Sequence, residues 1–273
     1  MTGPKLTVGI PTLDRIEILA GLIASLAAQK YKSFNTIIIS QSTGNNAKDA
    51  WTIKQMLRLL EYALPKDTEH TVIAKGAPIG AAAAHNIVLY ESKTPYILRV
   101  DDDIVLEPNF IATLMSHFPS PTLGAVGGIY LDINDDPNER YSDGIKRKLT
   151  QAEMTIRDDT HRAQGLRHLD TSILNVTDLY SSYVYKRDAM IQAGGFREEY
   201  GKACYYEDTD ASYRIFMEGF SLRVDPRAIG FHLKWKEGGS RLFWTEEKDL
   251  RNGDIFWKNV DELEKVGRKT LEP

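Results

Sequence analysis

The stretch RVDDDIVLEPNF, Arg99 to Phe110, puts three carboxylates, Asp101, Asp102 and Asp103, directly after the apolar run TPYILRV. That run is rich in β-branched and aromatic residues and predicts a buried strand, so the aspartates stand where a strand leaves its sheet. Two carboxylates about 4 Å apart repel by roughly 4 kcal/mol at the effective dielectric of a protein surface. A cluster in a cleft therefore needs solvent, a partner or a cation. Side chains alternate along extended backbone, which predicts Asp101 and Asp103 facing one way and Asp102 the other. Two carboxylates converging on a point make an oxygen site for magnesium or manganese, with positions left for phosphate oxygens and water. A calcium loop of the EF-hand kind is excluded: counting from Asp101, the sixth residue is Leu106 instead of glycine and the twelfth Ala112 instead of glutamate. For the three acids alone, a solvated turn with a capping aspartate competes evenly.

A second acidic group stands in YYEDTDASYRIFMEGF, where Glu207, Asp208 and Asp210 open a helix. The helix dipole and free amides stabilise anions there, and a general base working at neutral pH must be ionised. Simple N-capping is the competing reading. AGGF, Ala193 to Phe196, predicts a tight turn that brings backbone close to a ligand. Tyr205 and Tyr206 could stack on a sugar, although such rings are more often core. In GFHLKWKEGGSR, His232 follows an apolar strand and could complete an acidic metal site. Gly238 and Gly239 could let Lys236 or Arg241 swing over a phosphate.

The elements that must position these residues alternate. Strands are expected at Leu6 to Ile10, closed by Pro11, and at Asn35 to Ser40, Thr71 to Lys75 and Thr94 to Val100. Helices are expected at Asp14 to Gln29, Ala47 to Tyr62 and Ile79 to Tyr90. Such alternation predicts an α/β fold, a mostly parallel central sheet with helices on both faces and ligands at the carboxyl ends of its strands. Pro108 suits the first turn of a helix running to Phe118, and Leu123 to Leu131 reads as a further strand. Asp132 to Asp170 is polar and aperiodic, the pattern of a functional or mobile loop. A helix from about Asp208 to Glu218, short strands near Leu222 and Ile229, and a last helix within Thr245 to Val266 complete the reading.

With 273 residues, 42% hydrophobic and 26% charged, the chain has the composition of a globular protein with a sizeable core. A net charge of -4 gives no overall pull toward nucleic acid or anionic membrane, although a nucleic acid acceptor is not excluded. The single cysteine, Cys204, rules out an intrachain disulfide framework. No apolar run approaches the roughly 20 residues of a membrane span, so the expected location is cytoplasmic.

VGIPTLDRIEILAGLIASLAAQKY resembles the opening of family 2 glycosyltransferases, nucleotide-sugar-dependent enzymes of GT-A fold. GAPIGAAAAHNIVLYES followed by YILRVDDDI is similar to their approach to the Asp-x-Asp motif. AGGFREEY and YEDTDASYRIFMEGF resemble their Gly-Gly-Phe and Glu-Asp segments. The resemblance implies one GT-A domain, with a nucleotide-sugar half over 1–105, an acceptor and catalytic half over 106–232, and a loop and C-terminal helix over 233–273. It implies a metal, Mn2+ or Mg2+, on Asp101, Asp103 and His232, and Asp208 as the base that deprotonates the acceptor, with Glu207 beside it and inversion as the outcome. It implies donor contacts from Pro11, Thr12, Asp14, Arg15, Ser40, Ser42, Gly80, Asn86, Asp101, Asp102, Lys236 and Arg241, and acceptor contacts from Gly195, Tyr206 and Trp235.

Two departures are visible. ISQSTG ends the second strand where the family commonly carries an aspartate, so Ser40, Gln41 and Ser42 can hydrogen-bond a base but supply no carboxylate. His85 precedes Asn86 where an arginine is common. A nucleotidyltransferase is a rival, but VGIPTLDR has no glycine-rich phosphate loop; a non-catalytic sugar-nucleotide-binding relative is the second. Acceptor-site walls are expected in 132–170, with Lys146, Arg147, Lys148, Arg162 and Arg167, and in KWKEGGSR. The acceptor itself, whether glycan, lipid carrier, protein or modified nucleobase, is not legible.

Overall fold

The computed structural model describes residues 5–42, 46–132, 173–203, 205–235 and 237–271. The elements run β1 (Leu6–Thr12), α1 (Ile16–Ala27), β2 (Phe34–Ser40), α2 (Asn46–Ala63), β3 (His70–Ala74), α3 (Ala81–Glu91), β4 (Tyr96–Arg99), β5 (Ile104–Leu106), α4 (Phe110–Met115) and β6 (Leu123–Asp132). After the segment not described come β7 (Leu174–Val176), β8 (Tyr183–Lys186), α5 (Arg187–Gln192), α6 (Glu207–Met217), β9 (Ser221–His232) and α7 (Glu246–Val266). Short 3-10 turns cover Glu198–Tyr200 and Ser240–Phe243.

Among the described residues nine strands join one sheet in the order β3-β2-β1-β4-β8-β6-β9-β5, with β7 also paired to β9. The strands β3, β2, β1 and β4 are parallel, as the alternation of strand and helix requires. β8 then enters antiparallel to both β4 and β6, so the second half of the sheet is mixed. Ile38 packs with Leu6, Val8, Ile10, α1 and α2 on one face, while Ile37 and Ile39 pack with α3 and β8 on the other. The three isoleucines of NTIIIS thus divide between two cores with the period of a strand.

β1 does not close at Pro11 but runs on through Thr12 beside β2. Its pairing to β4 stops at Gly9, so Pro11 has no partner on that side to which an amide would be owed. The strands expected near Leu222 and Ile229 are one, β9, interrupted by a bulge opposite Gly127 and Ile129. β5 is too short for its period to stand out in sequence. It pairs antiparallel to the end of β9, and that pairing decides where His232 lies.

Candidate active site

β4 ends at Arg99, and the chain turns through the aspartates, closing with the Ile104 amide on the Asp101 carbonyl at 3.3 Å. On a turn the alternation of extended backbone no longer holds, and the three carboxylates separate differently from the expectation. Asp102 and Asp103 share one guanidinium, Arg15 Nη1, at 3.1 and 3.2 Å, while Asp101 Oδ1 meets Arg99 Nη2 at 3.2 Å. Thr12 Oγ1, available because β1 passes Pro11, donates to Asp102 Oδ2 at 2.7 Å. Burial nevertheless dominates at Asp102 and pushes its carboxyl up to about 7 against the pull of Arg15. At Asp103 burial acts upward as well, but His232, Arg15 and Arg241 outweigh it and hold the carboxyl below its ordinary value.

The β5 and β9 pairing sets Ile104 opposite His232. The Leu233 amide then donates to the Asp103 carbonyl at 2.9 Å, and His232 Nε2 lies 3.5 Å from Asp103 Oδ2. Beyond it the chain folds onto Arg15, whose guanidinium donates to the carbonyls of Trp235, Glu237 and Gly238 at 3.4, 2.9 and 3.2 Å. Gly239 (φ 68°) lies so close that a Cβ there would collide with the Arg15 guanidinium. These glycines therefore let the loop lie down on Arg15, whereas the sequence suggested a swinging hinge. Arg241 Nη1 is anchored to the carbonyls of Lys234 and Trp235 at 3.3 and 3.1 Å.

Across the cleft, Asp208 sits in the first turn of α6. Its Oδ2 accepts the Ser181 amide at 2.6 Å, its Oδ1 the Thr209 amide at 2.8 Å, and Arg99 Nη1 lies 3.6 Å away. Glu207 is buried beside it, and burial, reinforced by Asp208, pushes its carboxyl up to about 8 despite Arg99. Ser181, Tyr205 and Tyr206 all carry positive φ (58°, 72° and 71°), so backbone strain surrounds this carboxylate.

Pro11, Thr12, Arg15, Gly80, Asp101, Asp102, Asp103, Tyr206, Glu207, Asp208, His232 and Arg241 line one cleft of about 580 Å³. Six of the expected residues are not among its lining. Ser40 is buried at the end of β2, and Ser42 donates to Asp49. Asn86 is spent on structure: its amide donates to the Phe196 carbonyl at 2.8 Å and its Oδ1 accepts the Phe196 amide at 2.8 Å, which clamps the turn holding Gly195. Trp235 contributes backbone, its amide donating to Asp103 Oδ2 at 3.3 Å. Asp14 stands exposed beside Arg15. Lys236 and residues 133–170, with the five cations expected there, lie outside the described residues. Sequence reasoning missed Arg99 and Ser181; Gln41, expected to hydrogen-bond a base, lines the cleft but its Oε1 accepts the Ile79 and Gly80 amides at 2.9 and 3.0 Å. A charged residue inside YILRV was the one available signal.

The sequence profile described as Glycosyl transferase family 2 matches residues 7–175, more than half of the chain and including the aspartate turn. The chain belongs to this family. No individually curated protein matches it. Among solved structures it is similar to residues 1–349 of S. aureus TarS in complex with UDP-GlcNAc (TM-score 0.64, 13% identity, 94% of this chain and 66% of that one). It is also similar to the mannosyltransferase PcManGT from Pyrobaculum calidifontis in complex with GDP-Man and Mn2+ (TM-score 0.60, 15% identity, 88% and 59%). This member therefore spans about three fifths to two thirds of the length of those neighbours. The shared fold is the GT-A type that the sequence resemblance implies.

The donor set of this glycosyltransferase-family chain suits a divalent ion that substrate completes. Asp103 and His232 supply a hard oxygen and an imidazole from adjacent backbone, and the contacts to the Asp103 carboxylate described above all use Oδ2. Among the described residues no group of three or more acidic, histidine or cysteine side chains is placed to hold a metal ion, so protein ligands beyond this pair are not assembled here. Magnesium and manganese sites that also bind phosphates keep such open positions.

Proposed function

We propose that the chain transfers a sugar from a nucleoside diphosphate sugar to an acceptor hydroxyl, with inversion, and that Asp208 is the general base. The observation that carries this reading is the position of Asp208: an acid fixed by two backbone amides in the cleft that also contains the aspartate turn. Family membership and the nucleotide sugars bound by structural neighbours support it. Asp103 and His232 would hold Mn2+ or Mg2+, a metal that would offset the negative charge on the departing diphosphate. Against the pull of burial, His232 and then Arg15 hold the Asp103 carboxyl below its ordinary value, and Arg15 pins the chain beyond β9, bringing Arg241 and Lys234 to the cleft wall. As the acceptor oxygen attacks the anomeric carbon, Asp208 takes its proton while the bond from that carbon to the diphosphate oxygen breaks. Asp208 is then left protonated and the nucleoside diphosphate is released. Cytoplasmic residence is part of the proposal and rests on the lone cysteine.

Calorimetric titration with UDP-, GDP-, ADP-, CMP- and dTDP-sugars, with manganese and then with chelator, tests the reading, followed by product analysis. Released nucleoside diphosphate is expected. Pyrophosphate would mean nucleotidyl transfer, and binding without turnover would mean a non-catalytic relative.

A further inference from the structure

Arg99 ends β4 in the interior of the sheet, between β1 and β8, and its side chain is 2% exposed. It lies over the rings of Tyr183 and Phe196 at 5.7 and 5.9 Å, surroundings that favour an apolar residue unless the charge is used. Three carboxylates use it. Nη2 meets Asp101 Oδ1 at 3.2 Å and Glu207 Oε1 at 3.7 Å, and Nη1 meets Asp208 Oδ2 at 3.6 Å. Asp101 belongs to the turn after β4 and Asp208 to α6, so the guanidinium joins the two walls of the cleft. Ser181 joins them again: its amide donates to Asp208 Oδ2 at 2.6 Å and its hydroxyl to Asp101 Oδ2 at 3.5 Å. Arg99, Asp101, Ser181 and Asp208 thus form a closed ring between wall and wall.

We propose that Arg99 is a positioning residue whose two-pronged guanidinium, together with Ser181, sets the separation between Asp101 on the donor wall and the Asp208 carboxylate on the acceptor wall. Two carboxylates left alone at this depth repel, and a cation between them offsets that repulsion. A planar fork can address two carboxylates from separate nitrogens, whereas an ammonium is a single point on a flexible stem. Lysine at 99 therefore keeps the charge and loses the spacing. The inference rests on the glycosyl-transfer reading for its kinetic consequence but not for its structural one.

The test is a double-mutant cycle with Arg99→Lys and Asp208→Asn. In the wild-type background Arg99→Lys is expected to lower kcat about 10- to 100-fold with donor binding changed less than threefold. In the Asp208→Asn background it is expected to cost less than threefold, because the group it positions has already been removed. Equal losses in both backgrounds, or no loss in either, overturn the proposal. Should Arg99→Lys fail to fold, Arg99→Gln combined with Glu207→Gln, which leaves one buried acid fewer beside the missing cation, takes its place and is expected to give the same pattern. Amide hydrogen exchange supplies a readout independent of turnover. The Ser181 amide should exchange at least about tenfold faster in Arg99→Lys, while the nearby Leu179 amide, bonded to Ser212 Oγ at 2.7 Å, stays unchanged. An unchanged Ser181 rate overturns the proposal even if no donor is ever turned over. A wild type that releases no nucleoside diphosphate, with Ser181 responding as expected, overturns the transfer reading alone.

Discussion

The cleft has two buried arginines, and they are used differently. Arg15 is saturated: all its hydrogen bonds fall between 2.9 and 3.4 Å, two on carboxylates and three on loop carbonyls. Arg99 is surrounded by carboxylates at 3.2 to 3.7 Å, yet its Nε and Nη1 make no hydrogen bond among the described residues. An arginine bonded at every nitrogen fixes backbone. One with donors to spare holds charges in place and leaves their geometry able to tighten when substrate arrives. The difference fits Arg15 to the architecture of the wall that carries the aspartate turn, and Arg99 to the proposed role of spacing the two walls.

The largest effect that would break this contrast is expected at the acid Arg99 faces. Asp208→Asn should lower kcat by about 10²- to 10⁴-fold while donor affinity by calorimetry stays nearly intact. Full turnover in that variant would remove Asp208 from the mechanism. On the other side, Arg15→Ala should act on stability first. It leaves Asp102 and Asp103 buried without their cation and should cost about 3 to 5 kcal/mol in denaturant unfolding. A loss below 1 kcal/mol would contradict the architectural role.

Asp103→Ala should weaken manganese-dependent donor binding about 10- to 100-fold, a magnitude typical of damage to a metal site, without a matching loss of stability. Binding that remains unchanged and equally sensitive to chelator would move the metal elsewhere.

The smallest effect concerns pH and Glu207, which faces Arg99 from β4, Asp101 from the turn and its helix neighbour Asp208. Its native carboxyl binds a proton up to about pH 8, well above its unfolded value, so in that interval the native state holds a proton that the unfolded chain has released. Stability is therefore greatest below the unfolded value and falls as pH rises toward 8, by about 1.4 kcal/mol per unit for one proton. Asp102 adds to the slope up to about pH 7. Glu207→Gln should flatten the curve of unfolding free energy against pH by that amount, and an unchanged slope would mean that Glu207 is ionised in the native cleft.

Much of this protein follows from local pattern. The period of two in NTIIIS, the helical spacing of Ile18, Leu19, Leu22, Ile23 and Leu26, and the repeated alternation of strand and helix are enough for the parallel half of the sheet. They are also enough to put the aspartates at a strand end, because burial of an apolar face acts on each segment separately. The order of motifs added the family and the candidate base. What the chain could not disclose locally depends on contacts between residues far apart. The division of the three aspartates between Arg15 and Arg99 comes from a turn whose partners lie as far as 132 residues away in sequence. His232 reaches Asp103 only through the pairing of β5 with β9. Asn86 and Asp208 look alike in sequence, as polar residues on helices expected to face the ligand, yet one is spent clamping the Gly195 turn and the other faces the cleft. A side chain's residue type sets which bonds it can make, and only the packed tertiary structure decides which partner takes them.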